Sequence, residues 1–332
     1  MSAAVCAAAR YKDQPAPHPS QARAGPLQAG RSSHSPAADG FRRRLWCYSG
    51  VATRIVSGPA QVAAELRGAT PLMTSLRAPI PARAPWLTAV LNVRAAEPAS
   101  RRWRSRPVAV VVDGTSSRPA AAAFLALRRQ GPVTVISMLG AAAAPLPGGR
   151  PTARLLAADP AAARLLADGI LDLLGRRRGP WALRLTGLPL GDPTAAELAA
   201  ALPDSVLANV RSRQLVDELD AVGSVRRSRD PAALERWLPA LLLAEPDVRA
   251  RAFLRASARL HAAIGRLEVA VVADGDSLRA GLLTLVDSAD RWPWWGTSRI
   301  GGLGDLPGSP LVGLTVAARN WRPALSSPVA RR

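Results

Sequence analysis

The 332-residue sequence holds a single lysine, Lys12, among 44 basic residues. A GxxxxGK[ST] phosphate loop is therefore missing, which excludes a P-loop NTPase. Cysteine occurs only at Cys6 and Cys47, with no CxxC pair. The three histidines, His18, His34 and His261, do not fall at ligand spacing with acidic residues. Neither a disulfide framework nor a metal site is expected. There is no GxSxG elbow and no clear Ser-His-Asp order, which disfavours a serine hydrolase. No apolar run reaches roughly 18 residues without charge or proline, so no transmembrane segment is expected. The N-terminus, MSAAVCAAARYKDQPAPHPS, lacks a leucine-rich stretch and does not read as a secretory signal. These absences together lead to the expectation of a cytoplasmic protein.

What the sequence has in excess is alanine (66 residues) and arginine (43), with 30 prolines and 26 glycines. An arginine excess with almost no lysine, alongside this alanine, glycine and proline, reads as compositional bias. The net charge of +20 is uneven: residues 1–106 carry 16 basic and 4 acidic residues, leaving 28 against 20 for the remainder. Non-specific attraction to nucleic acid or other anions is expected at low salt. A dedicated Arg-rich nucleic-acid-associated protein is the sharper alternative.

Residues 1–50, rich in Pro, Ser, Gly, Ala and Gln, read as a disordered basic tail, with FRRRLW (Phe41–Trp46) its one basic-aromatic patch. Composition changes at Val51, which also suggests a native translation start near that point. From residue 106 the elements sharpen. PVAVVVDG (Pro107–Gly114) reads as a strand and turn, VTVISMLG (Val133–Gly140) and WALRLTGLP (Trp181–Pro189) as strands. AAAAFLALRRQG (Ala120–Gly131) is open between helix and strand. Leu155, Leu156, Leu165, Leu166, Ile170, Leu173 and Leu174 recur at helical spacing, with a break near Asp159-Pro160. Asp192 reads as the N-cap of a helix at Pro193–Pro203, and Asp230-Pro231 as the start of another through Leu243. A longer helix at Asp247–Gly265 is followed by RLEVAVVADG (Arg266–Gly275), SLRAGLLTLVD (Ser277–Asp287) and the Trp-rich RWPWWGTS (Arg291–Ser298). A glycine-rich loop, RIGGLGDLPGSP, then leads to a last apolar stretch.

The sequence also matches itself. VAVVVDG at Val108–Gly114 and VAVVADG at Val269–Gly275 agree at six of seven positions, at an offset of 161. The same offset pairs Ser116 with Ser277 and Arg118 with Arg279. Each copy opens a strand–turn–strand–strand run, so the chain reads as two copies of one α/β domain.

A helix, a β-hairpin, a third strand, a Gly-containing loop and a helix resembles the GNAT acyltransferase core. The resemblance is carried by Phe253–Asp287 and Pro107–Gly140 and spans about residues 80–320. Two such units in tandem resemble the cellulose-biosynthesis-type (CelD-like) acetyltransferase group, which is similar to FemAB. The resemblance implies an α/β (α+β sandwich) fold of two tandem GNAT-like domains, at 51–205 and 206–332, behind a tail at 1–50. Each would have a mixed, mostly antiparallel sheet flanked by helices, with the second copy truncated at Arg332. It also implies acetyl-CoA or a longer acyl-CoA as co-substrate, without a metal. The acyl acceptor would be an amine or hydroxyl of a small molecule or cell-envelope precursor.

The superfamily's pyrophosphate loop, Arg/Gln-x-x-Gly-x-Gly/Ala ahead of a helix, has no clean match. Arg299, Gly301, Gly302 and Gly304 come nearest: glycines let backbone N–H groups approach phosphate, and an arginine adds charge. Gly148, Gly149 and Arg150 are the corresponding loop of the first copy. A plain glycine turn is the alternative for each. Acyl transfer needs a base and oxyanion donors. Glu268, entering a strand, is the candidate carboxylate, against a strand-edge glutamate facing water. His261 is the second candidate base, against a helix-surface histidine. Trp292, Trp294 and Trp295 either wall an acyl or sugar pocket or complete a core. Arg176–Arg178 and Arg101, Arg102 and Arg104 are basic clusters in loops, solvated or in contact with phosphates. The competing function is a non-catalytic GNAT-fold binding or scaffold protein.

Overall fold

The computed structural model describes residues 46–48, 51–97, 105–114, 118–141, 143 and 145–319. Most of the expected tail, and the cluster at Arg101, Arg102 and Arg104, lie outside the described residues. Ahead of Val51, β1 (Trp46–Tyr48) pairs antiparallel with β2 (Val51–Ser57).

Apolar valine runs set the centre of each half. In β3 (Ser105–Asp113), Ala109 and Val111 point into one core, while Val108, Val110 and Val112 point into another. In β10 (Leu267–Asp274), Val269 and Val271 likewise face one core, and Ala270 and Val272 the other. Period-2 alternation between two buried faces is what a strand covered on both sides requires. The alanine run left open between helix and strand is β4 (Pro119–Gln130), although alanine is the best helix former. Its small side chains let helices pack close on both faces. One covering helix also packs tightly on the neighbouring strands: a Cβ on its Gly169 would lie 2.7 Å from both Thr53 of β2 and Val110 of β3.

The two halves share one order of elements. β2 leads through α1 (Pro59–Gly68), α2 (Thr70–Ser75) and α3 (Ala84–Ala96) to β3, β4 and β5 (Val133–Met138). β9 (Arg226–Ser228) leads through α6 (Pro231–Leu242) and α7 (Val248–Ala263) to β10, β11 (Ser277–Asp287) and β12 (Asp290–Ser298). Both runs of four strands are antiparallel between neighbours. The sequence offset is 161 before the hairpin turn and 158 after it, since Val108 faces Leu125 while Val269 faces Leu283. Arg118 and Arg279 are therefore not equivalent positions, and Ser116 lies outside the described residues. The repeat rests on the valine strand and the element order.

The first copy continues through β6 (Leu156–Ala157), α4 (Pro160–Gly175), β7 (Trp181–Leu188), α5 (Pro193–Ala201) and β8 (Ser205–Asp217). The expected break at Asp159-Pro160 is a helix start, with Leu155 and Leu156 ahead of it in extended chain. Asp159, Asp192, Asp230 and Asp247 each accept a backbone N–H of the helix they precede, at 2.8–3.0 Å. Three of these caps are followed by proline at the first helical position, where the missing N–H costs nothing.

The glycine-rich segment and the last apolar stretch form one long strand, β13 (Leu303–Arg319). It pairs with β7 on one side and β8 on the other. The large sheet thus has the order β1-β2-β3-β4-β5-β7-β13-β8, with β6 added beside β4, and the small sheet β12-β11-β10-β9. β5 and β7 pair parallel; the other pairings are antiparallel. This is a mixed α/β fold with a large, mostly antiparallel sheet flanked by helices. Helices α4 and α5 cover one face of the large sheet. Helices α1–α3 and α6–α7 join its other face to the small sheet in one shared core. Trp86 of α3 lies at that junction, fully buried, with ring centroids 5.0 Å from Phe253, 5.1 Å from Trp294 and 5.9 Å from His261. Among the described residues, no helix is long and apolar enough to cross a membrane.

Candidate ligand-binding groove

A groove of about 1000 Å³ opens where the two copies meet. The first copy contributes the chain between α2 and α3 and the segment Arg150–Arg154 ahead of β6. The second contributes Ile264 and Arg266 ahead of β10 and the β11–β12 turn with Trp292. Five arginines line it (Arg77, Arg83, Arg150, Arg154 and Arg266), against two carboxylates, Asp287 and Asp290. Met73, Ile80 and Trp292 supply apolar wall.

Local structure fixes each charge. Arg83 donates through Nε to the Ala78 carbonyl at 2.6 Å and through Nη2 to Asp287 at 2.6 Å, an ion pair that ties the copies together. The Arg83 guanidinium holds the Asp287 carboxyl below its ordinary pKa. Arg266 lies 3.9 Å from the same carboxylate. Arg150 donates to Asp290 at 3.1 Å, and its guanidinium stands 5.9 Å from the Trp292 ring. Arg154 donates to the Leu76 carbonyl at 2.5 Å.

The Gly148-Gly149 pair explains how Arg150 reaches this place. A Cβ on Gly148 would meet the Arg213 carbonyl oxygen at 1.7 Å, and one on Gly149, at φ 88°, would meet the Gln214 side chain at 2.9 Å. Only glycine permits the close approach to β8. The Gly148 carbonyl accepts the Trp292 indole N–H, and the Gly149 carbonyl accepts Ser309 N–H at 2.8 Å. The pair thus anchors the loop on β8, β12 and β13.

The site residues expected from sequence fall in four places. Trp292 lines the groove. Trp294 and His261 belong to the aromatic junction around Trp86, where Trp294 also donates to the Pro145 carbonyl at 2.9 Å. Trp295 packs, partly buried, against the same core. His261 is buried, with Nδ1 at 2.8 Å from the Ser257 carbonyl, and burial pushes its pKa down. It is not on a helix surface. Glu268 is buried on the opposite face of the small sheet from Val269 and Val271. It pairs with Arg291, and Arg227 and Arg229 lie at 3.9 and 3.8 Å. Arg299, Gly301, Gly302 and Gly304 lie at the β12–β13 connection. Gly301 and Gly302 have φ of 84° and 80°, and the Gly302 carbonyl accepts Glu218 N–H at 3.0 Å. A Cβ on Gly302 would lie 2.6 Å from Val222. A strand follows, not a helix, and none of the four residues is among the described lining of the groove.

No protein-family model and no curated protein matches the chain. Solved structures do. One is a tandem GNAT protein from the clavulanic acid biosynthesis pathway, 15% identical, covering 80% of this chain and 98% of that one at a TM-score of 0.36. Another is a GCN5-related N-acetyltransferase from Sphaerobacter thermophilus, 12% identical over 79% of this chain and 95% of that one, at 0.27. A third is a conserved protein of unknown function from Enterococcus faecalis V583, described as a probable N-acyltransferase. It is 6% identical over 79% of this chain and 72% of that one, at 0.28.

Sequence reading missed most of the groove. Arg77, Arg83, Arg154, Arg266 and Asp287 are scattered over more than 200 positions and are indistinguishable from the other arginines and aspartates of the chain. Only Arg150, beside its glycine pair, and Trp292 carried a local signal.

Proposed function

We propose that this chain is an acyl-CoA-dependent N- or O-acyltransferase of the GNAT type, working in the cytoplasm, with the groove between its copies as the ligand site. The observation that supports the reading is the groove itself: large enough for a cofactor-sized ligand, walled by both copies, and lined by five arginines against two aspartates. Arg83, Arg150 and Arg266 offer guanidinium forks that match phosphate oxygens, which coenzyme A presents at one end. Ile264, about half exposed on the groove wall, offers apolar surface to an acyl chain. Acyl transfer also requires a proton acceptor. Asp290, exposed at the rim and held by Arg150, is the groove carboxylate best placed to pass a proton to water. The acceptor is an amine or hydroxyl of a small molecule or envelope precursor.

The test is calorimetric titration of acetyl-CoA and a longer acyl-CoA into the full chain at moderate salt, followed by assay of thiol release with amine and hydroxyl acceptors. One-site binding that is lost in Arg150→Ala, with thiol released on adding acceptor, is the expected result. No heat from a folded protein overturns it.

A non-catalytic GNAT-fold binding protein is the second reading. Two observations favour it. Glu268 is engaged by arginines and His261 is buried, so neither candidate base is open to substrate. Thr152 and Ala153 donate to the Gly187 carbonyl of β7, and the cavity that they line with Leu146 and Met138 of β5 holds only about 30 Å³. This reading predicts acyl-CoA binding without thiol release for any acceptor.

A further inference from the structure

We infer that Arg77 and Arg154 form a subsite in the groove for an anionic group, a carboxylate or phosphate, carried by the acyl acceptor. The inference rests on the groove being the ligand site, and it names the chemical class of the acceptor.

The pairing of charges in the groove leads there. Arg83 and Arg266 share Asp287, and Arg150 is held by Asp290. Arg154 donates to a backbone carbonyl and has no carboxylate within 4.0 Å among the described residues. The Arg77 side chain, exposed, has no hydrogen-bond or ion-pair partner among the described residues. Asp192, whose charge Arg154 favours, is buried and accepts the N–H of Ala195 as a helix cap, so it does not quench the pair at the surface. The carbonyl that Arg154 engages is that of Leu76, the residue just before Arg77. One hydrogen bond thus ties the second arginine to the turn that bears the first.

The backbone at Arg77 adds an independent observation. The N–H of Ala78 bonds to the Met73 carbonyl at 2.9 Å and that of Arg77 to the Thr74 carbonyl at 3.0 Å. This is the Schellman closure of α2, with Arg77 at the left-handed C′ position, φ 48°. Glycine is the favoured residue there, and a side chain adds strain. Arg77 and Ser288, the two non-glycine residues at positive φ among those described, both line the groove. Strain retained at a position where the fold prefers glycine points to a use for the side chain. Two guanidinium groups, one unpartnered and one with free N–H groups, suit a carboxylate or phosphate.

The experiment titrates succinate, inorganic phosphate and acetyl-CoA separately into the wild type, Arg77→Gly and Arg154→Gln, all as full chains. Saturable binding of succinate or phosphate is expected, weakened about tenfold or more in each variant, with acetyl-CoA affinity changed less than about twofold. Arg77→Gly retains the wild-type melting temperature or exceeds it, so loss of binding there cannot be loss of fold. Succinate strongest assigns a carboxylate; phosphate strongest assigns a phosphate. The inference is overturned if neither anion saturates, or if Arg77→Gly binds them as the wild type does. It is equally overturned if acetyl-CoA weakens by the same factor, which gives the arginines to the donor's phosphates. Anion binding that depends on Arg77 in a protein that takes no acetyl-CoA leaves the subsite standing and removes only the acyl-CoA reading.

Discussion

In the first copy, β2 to β5 run on through α4, β7, α5 and β8; in the second, β12 leads straight into β13, which leaves the small sheet and enters the large one between β7 and β8. The difference separates how the two sheets are completed. The small sheet has all its strands local in sequence, and on the face away from the helices Ala270, Val272, Ala280 and Leu282 pack on buried Leu219 and on Leu215, Val222 and Leu303, which are partly buried. The large sheet depends on a strand made after the whole of the second copy. Leu314 and Val316 of that strand are buried in the core beneath α4 and α5. Two copies of one unit therefore form a single interlocked body, and the groove lies along their seam.

The largest expected effect tests that dependence. A chain ending at Ser298 lacks β13 and leaves both β7 and β8 with an unpaired side, and it is expected to lose cooperative thermal unfolding in circular dichroism. A cooperative melt from residues 51–205 alone would show instead that the first copy is self-sufficient. The point version, Leu314→Ala, is expected to cost about 2–5 kcal/mol in denaturant unfolding. Next comes the seam. Trp86→Ala removes the buried ring shared by α3, α7 and β12 and is expected to cost about 3–5 kcal/mol, with one unfolding transition splitting into two if the copies then melt separately.

A smaller effect is pH-dependent and belongs to the second copy. Burial lowers the pKa of His261 from its ordinary value of 6.5, so the unfolded chain binds its proton more readily than the folded one. The stability this site contributes is complete above pH 6.5 and falls as pH drops from there through the folded-state value. Denaturant midpoints measured across that window are expected to decline with acid in the wild type and to flatten in His261→Gln. The smallest effect has the opposite sign. Arg77→Gly relieves a left-handed arginine and is expected to stabilise by up to about 1 kcal/mol, whereas Ser288→Gly in the β11–β12 turn tests whether both rims of the groove carry such strain.

Much of the fold was legible locally. The valine runs gave β3 and β10, and the Asp-Pro pairs at Asp192 and Asp230 marked where α5 and α6 begin, because a short carboxylate and a residue without an N–H both suit a helix start; the pair at Asp159, which reads as a break within a helix, is the start of α4. β8 was not recognised. Its side chains are largely exposed, with Val206 at 61% and Val210 at 60%, so no buried face imposes alternation on its sequence. It is a strand because β13 pairs with it residue by residue over most of its length. The glycine-rich connection reads from its composition either as a phosphate loop or as a plain glycine turn; in the fold Gly301 and Gly302 form a turn packed against Val222.

The sequence by itself determined the repeated unit, the helix starts and the two-faced valine strands, since caps, turns and burial period act over a few residues. Tertiary structure alone decided that the last strand returns to the first sheet, that Glu268 and His261 are held inside the protein, and that Arg77, Arg83, Arg150, Arg154 and Arg266 share one groove. Those outcomes depend on which distant surfaces meet, and in a chain with 43 arginines no local pattern tells the five that converge from the rest.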